Sequence, residues 1–324
     1  MSKVAFITGI GGQDGSYLAE LLLEKGYKVI GMIRRSSTNN LQNIKHIKDE
    51  LILEYGDLTD QSCIDRIIKM YEPDEIYNLG AMSFVPVSWD SAEYTFNVNT
   101  LGPVRILESI KKYNRDIKFY QASTSEMFGK VVEVPQDEST PFYPRSPYGV
   151  SKVAAHYATI NYRESYDIFA TCGILFNHES PRRGLEFVTR KITNGAVKIK
   201  LGLQKELALG NLESKRDWGH SIDYVKAMWL ILQHDKPETF VVGRGVAYSV
   251  RELCEHAFSC LDLDYRDYVT VNPEFYRPAE VDILLANPNK VKSILKWEPE
   301  YSFKDLVDDM IQSELDTFMS QGDK

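Results

Sequence analysis

Along the first half of the chain, short apolar runs alternate with longer stretches in which apolar residues recur at helical spacing. The runs at residues 4–8, 29–33, 51–55, 75–79, 118–122 and 169–175 have the length and apolarity of strands buried on both faces. Between them, 16–25, 61–71, 91–112 and 148–166 carry the i, i+3, i+4 pattern of amphipathic helices, interrupted only by Pro103, which starts or kinks a helix. Six such strands alternating with helices predict an α/β fold built on a doubly wound parallel sheet.

After about residue 177 the texture changes, with a Pro/Arg/Gly cluster at 180–184 followed by shorter elements and polar loops. The expected division is a dinucleotide-binding domain over 1–176 and a smaller C-terminal α/β substrate lobe over 177–324. Parts of 208–240, including the apolar helix at 221–233, are expected to pack back on the first domain. A last amphipathic helix spans 303–318, and the chain has no internal repeat or low-complexity tract.

The 324 residues, 43% hydrophobic, suffice to bury a large core. Forty-six acidic side chains against 38 basic ones give a formal charge of -8, which argues against a general nucleic-acid or membrane-surface binder. Any bound anion must therefore meet local positive charge. The apolar run at 4–8 is too short for a secretory or membrane segment. Cys63, Cys172, Cys254 and Cys260 contain no C-x-x-C pair, so a reduced, cytoplasmic protein is expected. Six dispersed histidines with no H-x-x-x-H pair give no expectation of a metal.

The first strand runs into Gly9, Gly12 and Gly15, and a helix begins at once. Glycines let the backbone turn tightly and approach a pyrophosphate, while the helix N-terminus offers unpaired N–H groups and the positive end of its dipole. The first gap is one residue wider than G-x-G-x-x-G, yet strand before and helix after favour dinucleotide binding over an ordinary glycine-rich turn. About 25 residues on, where an NAD-binding chain presents a carboxylate to the ribose, stands Ile33-Arg34-Arg35-Ser36-Ser37. Two guanidinium groups and two hydroxyls suit a 2'-phosphate, so NADP is expected rather than NAD.

Tyr148 and Lys152 stand four apart, one turn along one helix face. A free phenol, with a pKa near ~10, is a poor base at neutral pH, and a cation one turn away favours its phenolate. Such a pair recurs by chance in many helices. Its context is the fifth strand, which ends Gln121-Ala122-Ser123-Thr124-Ser125-Glu126, and chemistry in open α/β sheets sits at the carboxyl ends of strands.

The glycine loop, strand-end hydroxyls and Tyr148/Lys152 occur in this order in the extended short-chain dehydrogenase/reductase family of Rossmann-fold enzymes. The chain resembles that family over nearly its whole length. Pro144-Arg145-Ser146-Pro147-Tyr148, Gly56-Asp57-Leu58 and Asn78-Leu79-Gly80-Ala81 look like its extended branch. Epimerases and simple reductases of the family lack a carboxylate at the place of Glu126. Glucose-type dehydratases carry an Asp-Glu pair there, whereas Ser125-Glu126 is similar to the mannose type. Asn177-His178-Glu179-Ser180-Pro181-Arg182-Arg183-Gly184, Arg216-Asp217-Trp218-Gly219-His220 and Tyr276-Arg277-Pro278-Ala279-Glu280-Val281 resemble signature segments of the GDP-mannose 4,6-dehydratase family.

The resemblance implies catalysis by Thr124, Glu126, Tyr148 and Lys152 on GDP-mannose, with bound NADP regenerated in each cycle. The cofactor would lie along Gly9, Gly12, Gln13, Asp14 and Gly15, then Arg34, Arg35 and Ser36. It would continue past Asp57, Leu58, Leu79, Ala81, Ser83 and Tyr94, with Lys152, His178 and Arg183 beside it. Arg216 and Arg277 would grip the diphosphate, Asn177 and Lys191 would place the nucleotide sugar, and Glu280 would accept hydrogen bonds from the nucleoside. Ser83, Thr124, Glu126 and Tyr148 would surround the hexose. A homodimer or homotetramer is implied, with Arg35 in the loop 34–40 reaching across an interface. Met82 and Phe84 depart from the glutamine and histidine expected there, so the fine shape of that part of the pocket does not carry over. A 4-keto-sugar reductase using NADPH, alone or joined to the dehydratase activity, and an epimerase would use the same Tyr148 and Lys152. Both simple readings leave Glu126 without a role. A non-catalytic NADP-sensing protein on this fold would need none of Tyr148, Lys152 and Glu126, and all three are present.

Overall fold

The computed structural model describes residues 2–37, 41–276, 279 and 281–322. Strands β1 (Val4–Thr8), β2 (Lys28–Ile33), β3 (Ile52–Tyr55), β4 (Glu75–Asn78), β5 (Lys118–Thr124) and β6 (Ala170–Leu175) join a seventh, Thr239–Val242, in one parallel sheet. The order across the sheet is Thr239–Val242, β6, β5, β4, β1, β2, β3. The six apolar runs are therefore strands, and all but the edge strand β3 are largely buried, which fits cover on both faces. The seventh strand escapes the periodicity because four residues in an irregular region give too short a signal. From β3 the chain crosses back to β4 on the other side of β1. The strand order reverses there, and Thr8 lies level with both Met32 and Asn78. The carboxyl ends of β1, β2 and β4 thus open on one crevice, where such sheets bind ligands.

Between the strands run α1 (Gln13–Glu24), α2 (Gln61–Tyr71), the short α3 (Val87–Asp90) and α4 (Ala92–Phe96), α5 (Gly102–Tyr113) and α6 (Pro147–Tyr166). Beyond β6 come α7 (Val188–Lys200), α8 (Ser221–Gln233), α9 (Val250–Ser259), α10 (Asn289–Leu295) and α11 (Phe303–Gly322). Leu18, Ala19 and Leu22 of α1 share a core with Val225, Met228 and Leu232 of α8 on one face of the sheet. On the other face Ile64 and Ile67 of α2 meet Ile106 and Ile110 of α5. A third core joins α7, α9 and α11 around Trp218, Phe258 and Phe303.

The single helix expected over 91–112 is broken. Helix α4 gives way to a π-helical turn, Asn97–Leu101, before α5 restarts with Pro103 in its first turn. Proline has no N–H for the i−4 carbonyl, so the ladder must be remade at this point. The widened turn directs Asn99 to the loop after β4. Its amide accepts from Met82 N at 2.8 Å and donates to Met82 O at 3.0 Å. Among the described residues no helix is long and apolar enough to cross a membrane.

Candidate active site

A cavity of about 630 Å³ opens at the carboxyl ends of the strands. Its floor is the turn between β1 and α1. Gly9 adopts φ +72°, and a Cβ there would lie 2.8 Å from Gly80 N. At Gly15 a Cβ would lie 2.2 Å from Gly9 O. No larger residue fits this turn without moving backbone, and the first N–H groups of α1 lie over it. That is the cradle a pyrophosphate requires, so the residues fit the expected dinucleotide.

Arg34, Asp57, Leu58, Leu79, Ala81, Ser83 and Tyr94 continue the cavity wall. Arg34 donates to Tyr94 Oη at 2.9 Å. Arg35 and Ser36 line an adjoining cavity of about 500 Å³ that shares Arg34 and Asp57 with the first. Cys63 was not foreseen in this wall. Its thiol accepts from Asp57 N at 3.2 Å and donates to Asp57 O at 3.3 Å, fixing that backbone.

Thr124, Glu126, Tyr148 and Lys152 line the same cavity. Helix α6 starts where it does because Ser146 caps it, accepting from Gly149 N at 3.0 Å, with Pro147 in the first turn. The hydroxyl of Tyr148 is hydrogen-bonded to Thr124, whose Oγ1 also accepts from Glu126 N at 3.3 Å. Gly149 leaves room for the Glu126 carbonyl, which a Cβ would meet at 2.9 Å. Lys152 Nζ donates to Ala122 O at 2.9 Å and stands 5.9 Å from the centre of the Tyr148 ring.

Burial alters the acid–base reading of this pair. Desolvation pushes Tyr148 up to about 12, with the Thr124 hydrogen bond and the Arg183 charge opposing it and Glu126 adding to it. Desolvation likewise brings Lys152 down to about 8. The sequence reading, in which a nearby cation favours the phenolate, therefore omits the larger effect. Withdrawal from water works against both charges.

A buried relay supports Lys152. Thr8 Oγ1 donates to Asn78 at 2.7 Å, Asn78 to Gln121 at 2.8 Å, and Gln121 to Ala122 O at 3.1 Å, the same carbonyl that holds the ammonium. Sequence reasoning passed over Thr8, Asn78 and Gln121 as strand residues. Their signal is polarity on strands that are otherwise apolar.

His178 and Arg183 also line the cavity. Burial opposes charge on His178, but Asp14 Oδ2 lies 2.7 Å from its Nε2, and the histidine pKa is raised on balance. Gln13 donates to His178 O at 3.1 Å and accepts from Ser180 Oγ at 2.9 Å. Gln13 and Asp14 thus line the cavity while their side chains lock the 178–180 segment onto α1. Arg183 pairs with the buried Glu179 and stacks 3.5 Å over the ring of Phe187. Asn177 faces the cavity, and its buried Oδ1 has no protein hydrogen-bond partner.

A family model for GDP-mannose 4,6 dehydratase matches residues 6–310. The chain belongs to that family. The GDP-mannose 4,6 dehydratase of Cricetulus griseus is 50% identical over 342 residues, covering 97% of this chain and 92% of its own. The Vibrio cholerae GDP-mannose 4,6-dehydratase is 49% identical over 354 residues, covering 98% and 95%. In fold the chain is similar to dTDP-glucose 4,6-dehydratase from Bacillus anthracis in complex with NAD, with a TM-score of 0.87, 24% identity and 98% of each chain covered.

Not every residue expected from the family lies at the cavity. Lys191 donates to Ala208 O at 2.9 Å and stands 4.2 Å from the Phe275 ring centre. Arg216 is buried, donating to Lys215 O at 2.9 Å and Val281 O at 2.8 Å. Neither lines the main cavity; Lys191 approaches Phe275 and Arg216 approaches Val281. Arg277 and Glu280 lie outside the described residues. Of the two departures from the family pattern, Met82 is held by Asn99, and Phe84 meets Phe187 edge to face at 5.5 Å. Phe84, Phe187 and Arg183 therefore form one contiguous wall of the cavity.

Proposed function

We propose that this chain is an NADP-dependent GDP-mannose 4,6-dehydratase, converting GDP-D-mannose to GDP-4-keto-6-deoxy-D-mannose and water. One observation carries the reading: the Glu126 carboxylate, just past the end of β5, shares a cavity with the Thr124–Tyr148 hydroxyl pair and Lys152. When bound, the nicotinamide accepts hydride from C4 of the hexose and returns it at C6. Tyr148 removes the proton of the C4 hydroxyl, and Thr124 hydrogen-bonds the same oxygen. The resulting carbonyl acidifies the C5 proton. Glu126 takes that proton and then delivers it to the departing C6 hydroxyl, which leaves as water. C5 regains a proton as C6 is reduced, and the proton that Tyr148 took from the C4 hydroxyl makes up this balance, so both side chains end as they began. The net change is redox-neutral, so the enzyme is a hydro-lyase on a framework shared with oxidoreductases. Incubating purified protein with GDP-mannose, UDP-glucose and dTDP-glucose should yield a product lighter by one water from GDP-mannose alone. No such product overturns the reading.

NADP is favoured by Arg34, Arg35 and Ser36 on the cavity that adjoins the glycine cradle. A hydrogen bond to a charged phosphate contributes about 1.5–3 kcal/mol, so each arginine removed should weaken NADP about 10- to 100-fold while leaving NAD nearly unchanged. Dissociation constants of both dinucleotides for Arg34→Ala and Arg35→Ala check this. An unchanged NADP-to-NAD ratio contradicts it.

The Tyr148/Lys152 pair loses its first proton at about 8, mainly from the ammonium. The active phenolate–ammonium form is a constant minor share of that population, because both forms carry the same number of protons. Hence kcat/KM for GDP-mannose is expected to rise with pH to about 8 and then level. Lys152→Met should abolish the levelling and let the lower rate climb further with pH. A break at the same pH in both proteins would contradict this assignment.

The chain is read as a homodimer or homotetramer. Support comes from the exposed apolar residues Phe96, Leu101, Val150 and Tyr157 on the α4–α6 side. A sedimentation coefficient of a single chain at micromolar concentration would contradict this.

A further inference from the structure

Among the described residues, one group of three histidine, cysteine or carboxylate donors converges, and it lies outside the catalytic cavity. We infer that His256, Cys260 and Asp308 form a site for a divalent transition-metal ion of the zinc class, bridging α9 and α11.

His256 and Cys260 are one turn apart at the end of α9, and Asp308 comes from the second turn of α11. His256 Nε2 stands 2.9 Å from Asp308 Oδ1, Cys260 Sγ stands 3.1 Å from the same oxygen, and Sγ and Nε2 are 3.8 Å apart. Those three separations place the atoms on a circle of radius about 1.9 Å, slightly less than zinc bonds of about 2.0–2.3 Å. One ion a little off their plane reaches all three atoms at ordinary bond lengths. Nitrogen, sulfur and oxygen together suit zinc and its neighbours and disfavour magnesium or calcium, which take oxygen ligands.

The backbones carrying these donors are fixed. Helix α9 begins with a capping box between Ser249 and Glu252, and Cys260 N donates to His256 O at 3.1 Å at its end. Helix α11 is capped reciprocally by Ser302 and Asp305. Leu253 and Ala257 of α9 pack with Leu306, Val307 and Met310 of α11 beneath the donors. The Asp308 side chain is 57% exposed and that of His256 20%, so an ion enters from solvent and water completes its coordination. A search for paired histidines misses this group. Its helix pair is H-x-x-x-C, and the third donor lies 48 residues beyond Cys260.

The test uses Co²⁺ alone as the probe on the purified full-length chain. Wild type is expected to bind one equivalent with thiolate-to-metal charge-transfer absorption in the near ultraviolet, displaced by Zn²⁺, and either ion should raise the melting temperature. Cys260→Ser should abolish the absorption, and His256→Ala and Asp308→Asn should each weaken Co²⁺ at least about tenfold, since losing a ligand costs no less than losing its outer-shell support. Cys63→Ser should keep the absorption. Activity on GDP-mannose, expected to be retained in the Cys260, His256 and Asp308 variants, shows that they fold. Absorption that persists in Cys260→Ser, wild type that binds no Co²⁺, or variants that bind as tightly as wild type would each overturn the site.

Discussion

Replacing Tyr148 with phenylalanine is expected to slow formation of the 4-keto sugar by about 100- to 10,000-fold, the usual contribution of a positioned general base. The substitution isolates the hydroxyl. Tyr148 is 8% exposed, and phenylalanine fills the same ring volume. Lys152 stays in place because the Ala122 carbonyl, not the phenol, holds its ammonium. Thr124 remains as a hydrogen-bond partner for the sugar oxygen but has no ionisable proton in the useful range. Loss of the base should therefore fall on kcat, with KM for GDP-mannose and the melting temperature nearly unchanged. Product formation followed by mass, beside a thermal melt, checks this. Turnover within a few-fold of wild type would remove Tyr148 from the chemistry.

The parts of this protein legible from sequence share one property: their signal is local. The Gly9, Gly12 and Gly15 turn joins a strand to a helix within a few residues, and Tyr148 and Lys152 lie one turn apart, so spacing alone sets their geometry. Glu126 is legible because it lies two residues past a strand end. What stayed hidden depends on contacts between distant segments. The pairing of Asp14 with His178 spans 164 residues, and the relay from Thr8 to Asn78 spans 70. The π-helical turn at Asn97–Leu101 is hidden for another reason. Apolar spacing survives one widened turn, so the pattern reads as a continuous helix although Asn99 has been turned toward Met82. Arg216 carries a further lesson. The resemblance assigned it to a diphosphate, and the fold shows one guanidinium nitrogen, Nη1, donating to the carbonyls of Lys215 and Val281. A motif names the residue type, and only packing decides which donors remain to be used.

Replacing Glu126 with glutamine is expected to separate oxidation from dehydration. Removing the C4 hydroxyl proton falls to Tyr148, so the first hydride transfer should survive. Loss of water should slow by about 100- to 10,000-fold, because a carboxamide can neither accept the C5 proton nor return it to the C6 oxygen. A single group must serve in both directions here, since Ser125 stands where an Asp-Glu pair would provide a second carboxylate. The substitution is nearly isosteric, and Glu126 N would still donate to Thr124 Oγ1, keeping the strand end in place. Charge works in the same direction. Glu126 is one of the groups that raise Tyr148, so its neutralisation should ease phenolate formation and leave oxidation no slower. Mixing the variant with GDP-mannose should therefore give a rise in reduced-nicotinamide absorbance of up to one equivalent that does not decay, with no product lighter by water. Wild type should show at most a transient rise. Rapid dehydration by the variant would mean that another group moves the C5 proton, and the assignment of Glu126 would fall while that of Tyr148 stood.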